Sequence, residues 1–102
     1  MIADTNLQVW LDTQAQLGQT VLIPYVKSVK DVQVDYKMSV IKTGKSGNSR
    51  IDQGGKVHAN AAEPTALSRM SINLQKEDEC HIELKLHNGN EELGTYNFDC
   101  PR

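Results

Sequence analysis

His81, Glu83 and His87 fall on one face of the segment CHIELKLH if it is extended, and imidazole and carboxylate are both metal ligands. Residues two apart on a strand lie about 7 Å apart at the backbone, which suits two ligands. A closed structural site takes four, and alternation turns Cys80 to the opposite face. A solvated charged face is the simpler reading, so no metal or other cofactor is expected. GKS at Gly44–Ser46 looks like the end of a phosphate-binding loop, but that motif needs a glycine where Ser39 stands and a helix afterwards. The residues that follow, GNSRIDQGG, read as a turn. Ser68 in ALSRM has no glycine-flanked elbow and no assignable His and Asp. The carboxylates gather in KEDE and NEE, turn-like stretches where like charges stay hydrated rather than sharing a proton. No catalytic residue is assigned, and the chain is not expected to be an enzyme.

Cys80 and Cys100 are the only cysteines. They stand at the far ends of two strand-like runs joined around HNGNEE. Folding that hairpin near Gly89 or Asn90 sets residue 80 opposite a residue between 97 and 100. A disulfide there would close a loop of about 20 residues and stabilise by about 3 kcal/mol in the chain-entropy model. Such a bridge belongs to an oxidising compartment. Two buried free thiols are the alternative.

The formal net charge of −2 does not by itself point to nucleic acid. Its distribution is uneven. Seven basic residues face three acidic ones between Lys27 and Lys56, and from Lys76 to Arg102 the numbers reverse. Solvated sheet faces are the ordinary explanation, and a basic surface that steers an acidic or amide-rich partner is the sharper one. No apolar run approaches the roughly 20 residues of a spanning helix, and membrane insertion is not expected.

The elements that must carry these groups read as strands. The run from Val32 alternates: Val32, Val34, Tyr36, Met38 and Val40 share one face, and Gln33, Asp35, Lys37, Ser39 and Ile41 the other. NLQVWLDT, QTVLIPYV, LSRMSINL, CHIELKLH and LGTYNFDC give further strands, and SRIDQGGKVHA a weak one. Pro24 suggests a strand end, an edge or a bulge. Gly54-Gly55 should bulge or break its strand. Thr43–Ser49 reads as a loop, and Pro101 should stop pairing. With 102 residues and turn signals every 8 to 14 positions, the expected fold is all-β: one immunoglobulin-like antiparallel β-sandwich of about seven strands. The usual inter-sheet cysteine pair and the tryptophan buried between the sheets are missing. Residues 1–102 are expected to form a single immunoglobulin-like domain with 1–5 flexible. MIADTNLQVW does not read as a signal peptide, so the expectation is either a cytosolic chain or a mature form with Met1 added.

VLIPYV, the loop GKSGNS followed by Gln53, then ALS, INL and the pair Asp78 and Ile82 resemble the curli-assembly inhibitors of bacteria, the CsgC/CsgH group, with the CsgH branch nearer. The resemblance runs from about Gly18 to Leu93 and rests on the order and spacing of Ile23, Pro24, Val26, Gly44, Ser46, Gly47, Ser49, Gln53, Ala66, Leu67, Asn73, Asp78 and Ile82. It implies a small periplasmic domain that keeps the secreted curli subunit from forming amyloid before export. The CsgC branch carries Cys-x-Cys where this chain has Val32-Gln33-Val34, which puts redox activity in doubt here.

The expected function is therefore a substoichiometric, ATP-independent inhibitor of curli-subunit amyloid formation. Its partner is the major curli subunit in unfolded or prefibrillar form, and the inhibitor itself is taken as a monomer. Lys37, Lys42, Lys45, Arg50 and Lys56 are the expected client-binding residues. Lysines attract at long range and blunt the protein's own edges. The alternative is an extracellular recognition or adhesin module that binds a folded protein or glycan. Few aromatics and short loops count against the glycan.

Overall fold

The computed structural model describes residues 7–45, 47–74 and 77–100. The expectations for residues 1–5, for Ser46 and for Pro101 lie outside the described residues. Eight strands follow one another: β1 (Gln8–Gln16), β2 (Gln19–Lys27), β3 (Val32–Gly44), β4 (Gly47–Ala59), β5 (Thr65–Ala66), β6 (Met70–Ile72), β7 (Glu79–Asn88) and β8 (Glu91–Asp99). They form two antiparallel sheets. In one, β2 lies between β1 and the two short strands β5 and β6; the other runs β4-β3-β7-β8.

Alternation in β3 sets the inside and outside of the larger sheet. Val34, Met38 and Val40 are buried, while Gln33, Lys37 and Ile41 are exposed. Ile82, Leu84 and Leu86 of β7 extend the inner face. They close on Leu22 and Val26 of β2 and on Met70 and Ile72 of β6, making one apolar core. Fully burying each such side chain contributes about 1.5–3 kcal/mol. This is the sandwich that the alternating pattern predicted.

Three local expectations need correction. Thr43–Ser49 is not a loop: Thr43 pairs with Asn48 and Gly44 with Gly47, so β3 and β4 continue into a tight hairpin turn. Gly47 takes φ +123°, which an L side chain rarely adopts, so composition that reads as loop here serves the turn. Gly54-Gly55 neither bulges nor breaks β4, and the register with β3 is unbroken from Val32↔Ala59 to Gly44↔Gly47. The Tyr36 ring lies across Gly55, 3.3 Å from where a Cβ would stand, and fills the space the glycine leaves. The register shift occurs instead between Leu86 and His87, where β8 carries Gly94.

Pro24 sits inside β2 and not at its end. It is tolerated because the neighbour changes there: β5 pairs with Tyr25 and Val26, and β6 with Thr20 to Leu22. The Pro24 carbonyl still accepts a hydrogen bond from the Leu67 amide at 2.8 Å.

Cys80 and Cys100 form a disulfide, with Cα atoms 5.2 Å apart. The β7–β8 hairpin turns at Gly89 and Asn90 and sets His81 opposite Asp99. The Cys100 amide donates to the Cys80 carbonyl. The bridge ties two neighbouring segments of one sheet and does not cross the core.

Candidate functional site

The outer face of the β4-β3-β7-β8 sheet carries most of the charged residues proposed for contact. Its geometry follows from register. Lys37 stands opposite Gly54 on one side and Lys85 on the other. One row further along, Ser39 lies between Asp52 and Glu83, and the next row sets Ile41 between Arg50 and His81. Lys56 stands opposite Asp35.

Of the five basic residues expected to bind a client, the fold brings three together. Lys37, Arg50 and Lys56 are exposed on this outer face. Lys37 and Lys56 have no ion-pair partner among the described residues, whereas Arg50 Nε lies 3.2 Å from both Asp52 carboxylate oxygens. Lys45 is at the tip of the β3–β4 hairpin, with Nζ 2.7 Å from Glu77 Oε2; both are well exposed. Lys42 is placed differently. It shares the inner-face parity of Val40, donates to the Asn73 carbonyl at 2.8 Å and lies 3.9 Å from Asp78 Oδ2. Its ammonium spans from one sheet to the other and serves the fold.

Sequence reasoning did not single out Lys85. Alternation turned it outward, but only the β3–β7 register shows that it faces Lys37. A shallow depression of about 440 Å³ runs across this part of the face, lined by Gly54, Lys37, Lys85, Arg50, Asp52 and Glu83. Gly54 contributes no side chain, and the Lys37 stem leans beside it, Cγ 3.9 Å from where a Cβ would stand. The Ser39 hydroxyl, at 2.6 Å, and Arg50 hold the Asp52 carboxylate below its ordinary range. Asp52 is thus already engaged. Glu83 approaches Lys85 at 3.8 Å.

The opposite end of the face is acidic and carries His81. Its Nε2 is 3.1 Å from Asn97 Oδ1 and its Nδ1 is 3.3 Å from Asp99 Oδ1. The Asn97 contact first, then Asp99, raise the imidazole above its usual value. His87 lies opposite Asp35 and Glu92, six residues along β7 from His81. Among the described residues no three His, Cys, Asp or Glu side chains are grouped to hold a metal ion.

Some of the residues that carry the resemblance seen in the sequence hold the two sheets together. The Asp78 carboxylate fills the space beside Gly44, Asn73 receives Lys42, and Gln53 Oε1 accepts the Ser68 hydroxyl at 2.6 Å. These contacts tie β3 and β4 to the segments on either side of β6.

A family model for the thin aggregative fimbriae synthesis protein, Tafi-CsgC, matches residues 1–95. The chain belongs to this family. Two solved structures share its fold. The solution structure of R. palustris CsgH is 24% identical, covers 91% of each chain and superposes with a TM-score of 0.75. The E. coli curli protein CsgC is 22% identical, covers 94% of this chain and 99% of its own, with a TM-score of 0.74. Of the two, CsgH is slightly nearer, as the sequence resemblance implied. No curated protein sequence matches the chain.

Proposed function

We propose that this Tafi-CsgC domain inhibits amyloid formation by the major curli subunit in the periplasm, without ATP or covalent chemistry. The observation that carries the reading is the outer face of the larger sheet, where Lys37, Arg50 and Lys56 stand beside the exposed β4 edge. Cross-β growth satisfies each new strand's backbone on the strand below. A rigid sandwich that transiently engages an aggregation-competent segment opposes that growth without folding the client. Weak, fast contact suffices when nuclei are rare, so far less inhibitor than client is needed. The Cys80–Cys100 disulfide suits an oxidising compartment.

The test follows fibril growth of the purified subunit with an amyloid dye, the subunit in large molar excess. A lengthened lag is expected, and an unchanged lag overturns the reading. The contact surface is centred on Lys37, Arg50 and Lys56, while the Lys42 ammonium holds the Asn73 carbonyl and lies beside Asp78. Charge reversal at Lys37, Arg50 and Lys56 is expected to shorten the delay.

A further inference from the structure

Directly opposed like charges on neighbouring strands are destabilising. Lys37 and Lys85 are such a pair, both exposed; of the carboxylates on their face, Asp52 is held by Ser39 and Arg50, Glu83 lies 3.8 Å from Lys85, and Asp35 accepts from the Gly89 amide. A sequence optimised for stability alone would not keep two cations there. Beside them the sheet ends in β4, whose residues Gly47–Lys56 are exposed except for half-buried Gln53. Among the described residues no strand pairs with its outer side. β4 has neither proline nor bulge to blunt its edge, and the charges it carries, Arg50, Asp52 and Lys56, share the outer face with Lys37. The opposite edge, β8, carries Glu91, Glu92 and Asp99 and would repel an acidic chain.

We propose that β4 takes up an extended acidic polypeptide segment as an added strand, with a carboxylate side chain opposite Gly54 reaching Lys37, and Lys85, one strand further on, adding attraction at longer range. In such a pairing the residue opposite Gly54 has its side chain about 5 Å from the glycine and on the same outer face as Lys37. Gly54 puts nothing in between. Backbone pairing supplies affinity without regard to sequence, and the two lysines select for acidity at one position. This rests on the inhibitor reading and gives it a place and a chemistry of contact.

The full chain, 15N-labelled, is titrated with a short peptide alternating threonine and glutamate, and with its glutamine and lysine counterparts. The glutamate peptide is expected to shift amides along β4 and at Lys37 and Lys85, and the others to bind more weakly. Lys37→Ser should weaken it by about two- to fivefold, as for an exposed ion pair, and Lys85→Gln by less. Lys85→Gln should also raise the melting temperature by about 1–5 °C, because the repulsion is gone. Equal shifts with all three peptides, shifts confined to β1 or β8, or an unchanged melting temperature would overturn the proposal. Fibril delay without glutamate-dependent shifts at β4 overturns this site and leaves the inhibitor function standing. Shifts at β4 without fibril delay support the site and overturn the function.

Discussion

At Gly44 the space a side chain would take is filled by the Asp78 carboxylate, a buried acidic group beside Lys42. Gly44→Ala should therefore displace Asp78 and cost about 1–3 kcal/mol, the range for overpacking a filled site. Urea denaturation measures it, and a change below a few tenths of a kcal/mol would contradict the contact. Lys42→Ala should cost a similar amount by removing the charged hydrogen bond to Asn73. Another residue-scale expectation concerns pH. Both His81 ring nitrogens face oxygen acceptors, with Glu83 adding a weaker attraction, and the imidazole is raised from 6.5. A raised histidine stabilises fully below the unfolded value and loses that contribution as pH rises through the folded one. The thermal midpoint should thus fall more between pH 6 and 8 in the native chain than in His81→Gln. Equal slopes would show that the Asn97 and Asp99 contacts do not hold in solution.

At the scale of elements, the disulfide closes the β7–β8 hairpin across a separation of 20 residues. Replacing Cys80 and Cys100 by serine should cost about 3 kcal/mol, read as a lower urea midpoint with an intact sheet signal in circular dichroism. Alternation made β3 and β7 legible in the sequence, because burying one face of a strand leaves a period of two. The hairpin that pairs the cysteines was legible too, since a turn at Gly89 and Asn90 fixes which residues oppose. The β3–β4 turn was not, because Gly44, Asn48 and two serines read as loop whether they occupy seven residues or the tip of a hairpin. Gly54 and Gly55 were misread for a related reason. Their neighbours across the sheet, Lys37 and Tyr36, decide what a glycine does, and register is a long-range property. The same gap hid Lys85 and the inward turn of Lys42. Sequence supplied the candidate charges, and strand pairing determines which of them stand together.

Over the whole molecule, basic groups lead at one edge of this sheet face and acidic ones at the other. Arg50 and Lys56 of β4 stand beside Lys37 of β3, with Asp35 and Asp52 among them, and Glu92 and Asp99 lie on β8 at the other edge. The net charge of −2 conceals this arrangement. A face sorted in this way orients an approaching acidic chain toward the open β4 edge and away from β8. The attraction between exposed groups should weaken as salt shortens the screening length from about 10 Å at 0.1 M to about 3 Å at 1 M. Backbone pairing along β4 should persist. Inhibition is therefore expected to decline with salt without vanishing.

The most direct test of that picture is the lag time of curli-subunit fibril growth with substoichiometric amounts of the native chain and of a Lys37→Glu, Lys85→Glu variant, in low and high salt. A long lag with the native chain, shortened by either the double reversal or high salt, is the predicted result. A lag that the native chain does not extend, or that is extended equally by both proteins at every salt concentration, would contradict it.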